Sequence, residues 1–183
     1  MKKLTFLFSL LLALLISCTP TSEPATAEET VMKAAAPVSA TEKAINQAVL
    51  NAYEGISFEV GTTPNYEALK AIFAPNAMLY NFRGDTLEEY NIDEFLVGFK
   101  ASIDGGDMTG FNEIELGGET EYFGNIGHRI SAYGSYINGA DEIGEKGVNS
   151  FQLLKINGKW LVSSIIWDVE KEEQAIPERY LSE

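Results

Sequence analysis

Asn157-Gly158 lies between two alternating apolar runs, and no other feature of the 183-residue sequence restricts the fold so sharply. A two-residue turn of this composition takes φ > 0 at both positions and joins adjacent antiparallel strands. Val148 to Ile156 and Trp160 to Asp168 are the strands that it joins. The turn fixes their register: Ile156 opposite Lys159, Leu154 opposite Leu161, Gln152 opposite Ser163 and Ser150 opposite Ile165. One face then carries Val148, Ser150, Gln152, Leu154, Ile156, Leu161, Ser163, Ile165 and Trp167. The other carries Asn149, Phe151, Leu153, Trp160, Val162, Ser164, Ile166 and Asp168. The second set is bulky near the turn and polar at its far end, which suits a concave core opening into a cavity. Asn149, Ser164 and Asp168 are expected at the mouth of that cavity. Trp160 is expected in the core.

Upstream, the period is helical. Ser39-Ala40-Thr41-Glu42 has capping-box spacing, and Ile45, Val49, Ala52 and Ile56 follow on one stripe with Tyr53 beside it. A second helix is expected from Pro64, with Tyr66, Leu69, Ile72 and Phe73 inward and Ala74-Pro75-Asn76 as its stop. Ala77 to Phe82 predicts a strand. A third helix opens at Asn91, buries Phe95, Leu96, Phe99 and Ile103, and stops at Asp104-Gly105-Gly106-Asp107. From Phe111 the period is two, giving strands over Phe111 to Glu121 and Tyr122 to Ile137 ahead of the hairpin. Gly117-Gly118 predicts a bulge or bend. Ile176, Tyr180 and Leu181, in a charged tail, are expected to dock on the body. The order predicts an α+β fold: three helices on one face of a curved antiparallel sheet, with a pocket at its open end.

The first residues have a different character. Lys2 and Lys3 precede Leu4 to Ser17, 14 residues with only Thr5, Ser9 and Ser17 polar. That run is too short to cross ~30 Å of hydrocarbon and has the make-up of a signal-peptide core. Leu15-Ile16-Ser17-Cys18 follows it and is similar to the bacterial lipobox. The similarity implies cleavage before Cys18 and lipidation of its sulfur, and two or more acyl chains anchor firmly where one is marginal. Residues 1–17 are thus expected to be a signal peptide, and 18–38 the lipidated Cys and a Pro-, Thr- and Glu-rich disordered tether. Residues 39–183 are expected to form the single domain. The expected location is the cell envelope, periplasmic or surface-facing, with the membrane touched only through the anchor.

Composition excludes several chemistries. Loss of Lys2 and Lys3 with the leader leaves 11 basic against 27 acidic side chains, a net −16 that repels nucleic acid. One His and one Cys cannot build a His/Cys zinc set. There is no nucleophile-elbow Gly-x-Ser-x-Gly and no phosphate-binding glycine loop, and no cofactor or metal is expected.

Gly147-Val148-Asn149-Ser150-Phe151-Gln152-Leu153-Leu154, Gly158-Lys159-Trp160-Leu161-Val162 and Ile166-Trp167-Asp168 together resemble the nuclear transport factor 2-like superfamily. Phe123-Gly124-Asn125-Ile126 followed by Ser131-Ala132-Tyr133 is similar to a middle strand of its SnoaL-like branch. The resemblance runs from about Thr41 to Leu181. It implies a cone-shaped, cystatin-like α+β fold with a pocket between helices and sheet, and a homodimer. It also implies a range of activities, from isomerases and cyclases to dehydratases and members with no known chemistry, so it does not decide function. The steroid-isomerase type pairs an Asp base with a Tyr and a protonated Asp. Tyr53 and Asp168 are the nearest equivalents here, and neither lies in a matching motif.

Three readings follow. One is a small apolar or amphipathic ligand held without catalysis by Asn149, Ser164, Asp168, Tyr53 and Tyr80. Another is a proton-transfer enzyme with Asp168 or His128 as base. The third is an interaction module whose cavity is filled by Tyr80, Phe82 and Trp160. The apolar half of the first hairpin face is expected to pair with a second copy.

Overall fold

A computed structural model describes residues 37–82 and 86–181 of the chain. The leader, Cys18 and most of the tether lie outside the described residues. Ser39 caps α1 (Ala40–Ile56) by accepting the amide of Glu42, and α1 buries Ile45, Ala48, Val49, Ala52 and Tyr53. Asn91 and Glu94 form a complete capping box at the start of α3 (Ile92–Asp104).

The second helix is shorter than the sequence predicts. It is α2 (Tyr66–Lys70), capped by Asn65, not a helix running to Pro75. Phe73 already belongs to β1 (Phe73–Asn81). Pro75 and Asn76 sit where β1 bows away from its neighbour: Phe73 pairs with Val162, and pairing resumes only at Met78 with Ser164. A proline lacking an amide hydrogen is tolerated at such an interruption, and Asn76 takes φ 61° there. β2 (Glu88–Asn91) is a short edge strand that periodicity did not indicate.

β3 (Phe111–Phe123), β4 (Ile126–Ile137), β5 (Glu145–Ile156) and β6 (Lys159–Val169) form the expected meander. Gly124 and Asn125 turn the first hairpin, two residues later than the expected break at Glu121. Asn157 and Gly158 have φ 51° and 82°, the positive pair that a type I′ turn demands. The sheet order is β2-β1-β6-β5-β4-β3. The architecture is α+β as expected, but the sheet is mixed, because β1 runs parallel to β6. α1 lies across β3, β4 and β6, and α3 lies on β1. Trp160 is in the core, as expected.

The predicted hairpin register holds for four pairs, from Ile156↔Lys159 to Leu153↔Val162, and then slips. Gln152 faces Ser164, not Ser163, and Ser150 faces Ile166, not Ile165. Ser163 is the extra residue of a β-bulge, and its hydroxyl donates to the Gln152 carbonyl at 3.0 Å. One inserted residue reverses every later side chain on β6. Ile165 and Trp167 therefore point under the helices, and Ser164, Ile166 and Asp168 point out.

Gly117-Gly118 is the expected bulge, with pairing shifted between Glu115 and Gly117. Gly118 is required by its neighbour: a Cβ there would lie 3.1 Å from the Arg129 guanidinium carbon and 2.4 Å from the Ile130 carbonyl. The tail docks as a 3-10 turn, Glu178–Tyr180, against β3 and β4.

Candidate functional site

Under the helices the sheet leaves a cavity of about 180 Å³. An apolar cavity near 150 Å³ holds a benzene-sized guest, so this space admits one ring and few further atoms. Its walls are apolar and largely aromatic: Phe95 and Phe99 from α3, Phe111 from β3, Phe151 from β5 and Trp167 from β6. Tyr53, Glu113, Tyr133, Glu145 and Asn149 supply its polar groups.

Each polar side chain arrives there by strand or helix parity. Tyr53 follows Val49 on the buried stripe of α1 and packs edge-on against Phe151, with ring centres 5.8 Å apart. Glu113 alternates with Phe111 on β3. Asn149 alternates with Phe151 on β5. Tyr133 belongs to the face of β4 that carries Arg129 and Ser131. Tyr133 also needs Gly147 opposite it, because a Cβ there would lie 2.7 Å from the Tyr133 hydroxyl.

These groups are joined into a network that runs past the cavity. Asn149 Nδ2 donates to Tyr53 Oη at 3.1 Å and to Glu113 Oε1 at 3.2 Å. Tyr53 Oη lies 2.6 Å from Ser131 Oγ, which donates to Glu115 Oε1 at 2.6 Å. Glu115 Oε1 also accepts from Arg129 Nε at 2.7 Å, and the two side chains are only 12% and 9% exposed. Arg129 Nη1 donates to Thr120 Oγ1 at 2.8 Å and to Asn46 Oδ1 at 3.2 Å. Tyr133 Oη donates to Glu145 Oε1 at 3.2 Å. Burial pushes the Tyr53 hydroxyl well above its ordinary pKa of 10.0. The charge of Glu113 adds to that rise, and the bond donated by Asn149 opposes it.

Of the residues expected here, Tyr53 and Asn149 meet in the cavity. Ser164 and Asp168 do not, because the Ser163 bulge turns them to the outer face. Asp168 there accepts from its own neighbour's amide, Val169, and from Gln174. Tyr80 also faces outward: its neighbour Leu79 lines the cavity and pairs with the inward Ile165, whereas Tyr80 pairs with Ile166. Tyr80 therefore neither binds in nor plugs the cavity. His128 shares the outer face with Ile126 and Ile130, and its Nε2 lies 3.2 Å from Ser150 Oγ. Glu113, Tyr133 and Glu145 were not singled out from sequence. Parity with Phe111 would have found Glu113. On β4 the polar side, Arg129-x-Ser131-x-Tyr133, is the buried one, against the usual rule.

No family model matches the sequence, and no curated protein matches it. Solved structures do. A cystatin-like-fold protein of unknown function from Nostoc punctiforme superposes with a TM-score of 0.59 at 19% identity, covering 74% of this chain and 96% of that one. A candidate dehydratase of the nuclear transport factor 2-like family from Streptomyces avermitilis gives 0.55 at 11% identity, covering 70% and 95%. The fold is the cystatin-like, nuclear transport factor 2-like one. A candidate scytalone dehydratase from Novosphingobium aromaticivorans gives 0.57 at 11% identity, covering 72% and 85%. At these identities the likeness extends to fold alone. Among the described residues no helix is long and apolar enough to cross a membrane, and no group of His, Cys, Asp and Glu is placed to hold a metal ion.

Proposed function

We propose that the domain is a binding protein that holds a small, ring-sized apolar molecule with one polar end and does not turn it over. The aromatic cavity of about 180 Å³, with its polar groups gathered around Asn149, carries this reading. Pockets for small molecules combine apolar walls with a few convergent polar groups in this way. Asp168 and His128, the bases first considered, lie on the far side of the sheet from the cavity. Toluene tests the reading. Its titration shifts the Trp167 indole resonance and saturates, and Leu79→Trp, which fills the cavity from β1, abolishes the effect. A wild-type protein that binds neither toluene nor a one-ring alcohol or aldehyde would remove the proposal.

A second reading is proton transfer with Glu113 as base, favoured by the carboxylates in the cavity and by the two candidate dehydratases among the structural neighbours. If it holds, Glu113→Gln abolishes turnover in a dehydration screen while the variant still binds toluene.

The anchor and the assembly belong to the same proposal. Lipidation of Cys18 tethers the domain in the cell envelope, and Cys18→Ser shifts the protein from the detergent-rich phase to the aqueous phase on cloud-point separation. Two copies pair through the outer face of the sheet.

A further inference from the structure

We propose that the cavity selects, at its polar end, for a hydrogen-bond donor such as the hydroxyl of a small phenol or alcohol, because a buried ion pair outside the cavity fixes the direction of the hydrogen bonds that lead from it to Asn149. This rests on the binding reading above and specifies the chemical class of the ligand.

The direction follows from counting protons. Glu115, ion-paired with Arg129 Nε at 2.7 Å, can only accept. The single hydroxyl hydrogen of Ser131 is therefore committed to Glu115, at 2.6 Å. Ser131 Oγ can then meet Tyr53 Oη, 2.6 Å away, only as an acceptor. The Tyr53 proton is thus directed away from the cavity, towards Ser131. The Tyr53 oxygen accepts from Asn149 Nδ2, whose other hydrogen goes to Glu113 Oε1. The opposite amide orientation would set Asn149 Oδ1 against the Glu113 carboxylate oxygen, so the network settles which end is which. Asn149 Oδ1 takes no hydrogen bond from the described residues. Tyr66 Oη is the one sealed side-chain polar atom without a partner among them, so Asn149 Oδ1 opens on the cavity that the residue lines. Tyr133 spends its proton on Glu145 Oε1. Among the described residues no Lys, Arg or His lines the cavity. The atom left open to a guest is thus an acceptor, Asn149 Oδ1.

A guest with a hydroxyl supplies the missing proton to Asn149 Oδ1. A carbonyl brings a second acceptor and leaves both oxygens unpaired, which is unfavourable for buried groups. The same count denies Tyr53 the part of an oxyanion donor, since its one proton is already committed. Arg129, Glu115 and Ser131 are in this sense positioning residues, since none of them lines the cavity.

The test is a matched series of one-ring probes: benzyl alcohol, phenol, benzaldehyde and toluene, with dissociation constants from the Trp167 indole shift in the wild-type protein. Benzyl alcohol and phenol are expected to bind at least about tenfold tighter than benzaldehyde, the ratio that one unpaired buried acceptor produces. Benzaldehyde binding as tightly as benzyl alcohol overturns the inference and, with toluene still bound, leaves the binding reading intact. Failure of all four probes overturns both. Ser131→Ala releases the Tyr53 proton to turn inward, so the alcohol-to-aldehyde preference should fall at least about threefold, a change that loss of packing alone does not produce. An unchanged preference in the folded variant overturns the relay. If the variant does not fold, the hydroxyl proton of Tyr53 is located in the wild type by its magnetisation transfer to Ser131 Hβ. A contact with bound benzyl alcohol in its place overturns the inference.

Discussion

Tyr53 shows how far one buried hydroxyl reaches. Its pKa is raised chiefly by burial, so the folded state resists ionisation that the unfolded chain allows near 10. The sign follows: stability is complete below about pH 10 and is lost as pH rises beyond it, with a limiting slope of ~1.4 kcal/mol per pH unit. Urea midpoints between pH 8 and pH 11 should fall accordingly, and Tyr53→Phe should flatten the fall while lowering stability by about 1–3 kcal/mol at pH 8. An equal alkaline loss in both proteins would assign it elsewhere. Arg129 makes the complementary case. Removing it strands Glu115 in a setting where that side chain is 12% exposed. Arg129→Met should destabilise by about 3–5 kcal/mol, and Arg129→Met with Glu115→Leu should recover much of that. Chemical denaturation of the two variants checks the difference.

At the level of elements, the Ser163 bulge decides what the cavity contains. Sequence alternation showed both strands of the last hairpin, their turn and the inward face of β5, including Asn149. It could not show the bulge, because its cause lies outside the hairpin. β1 pairs with β6 at Val162 and again at Ser164, bowing out between them through Pro75 and Asn76, and that partner is some 90 residues away. The same limit hid the inward side of β4. Arg129, Ser131 and Tyr133 are a solvent-exposed pattern when read alone, and they become interior only because Asn46 on α1, Glu115 on β3 and Glu145 on β5 meet them. Tyr53 was legible because a helix stripe is set by its own residues. Deleting Ser163 should close the bulge and leave Ile165 and Trp167 inward, because the pairs Gln152 with Ser164 and Phe151 with Ile165 then continue the ladder without a break. Deleting Ser163 and Ser164 together should set Ile165 against Gln152 and drive it and Trp167 outward. Toluene affinity should then vanish and the urea midpoint should drop by the equivalent of more than about 3 kcal/mol, the range of changes that break packing. Normal toluene binding by the double deletion, or its loss in the single one, would show that this residue count does not set the parity.

For the molecule as a whole, the bulge also redraws the outer face. Ile165 and Trp167, which were expected to contribute to it, are inside. What remains is an apolar row that crosses four strands in register: Phe123 beside Ile126, Ile126 beside Leu154, Leu154 beside Leu161. Phe123, Ile126 and Leu154 are 82%, 57% and 37% exposed. A contiguous apolar row of this kind on a water-facing sheet marks an interaction surface. On the proposed pairing of two copies, a two-fold axis through the row sets each apolar side chain against its equivalent. The negative charge of the chain opposes that pairing and is screened by salt, so association should strengthen as ionic strength rises. Light scattering on the chain from residue 18 onward, carrying Cys18→Ser, should give twice the chain mass at micromolar concentration. Leu154→Glu should halve it without changing the far-ultraviolet dichroism, since that side chain faces out. A monomer at every salt concentration would mean that the row serves something other than a copy of this chain.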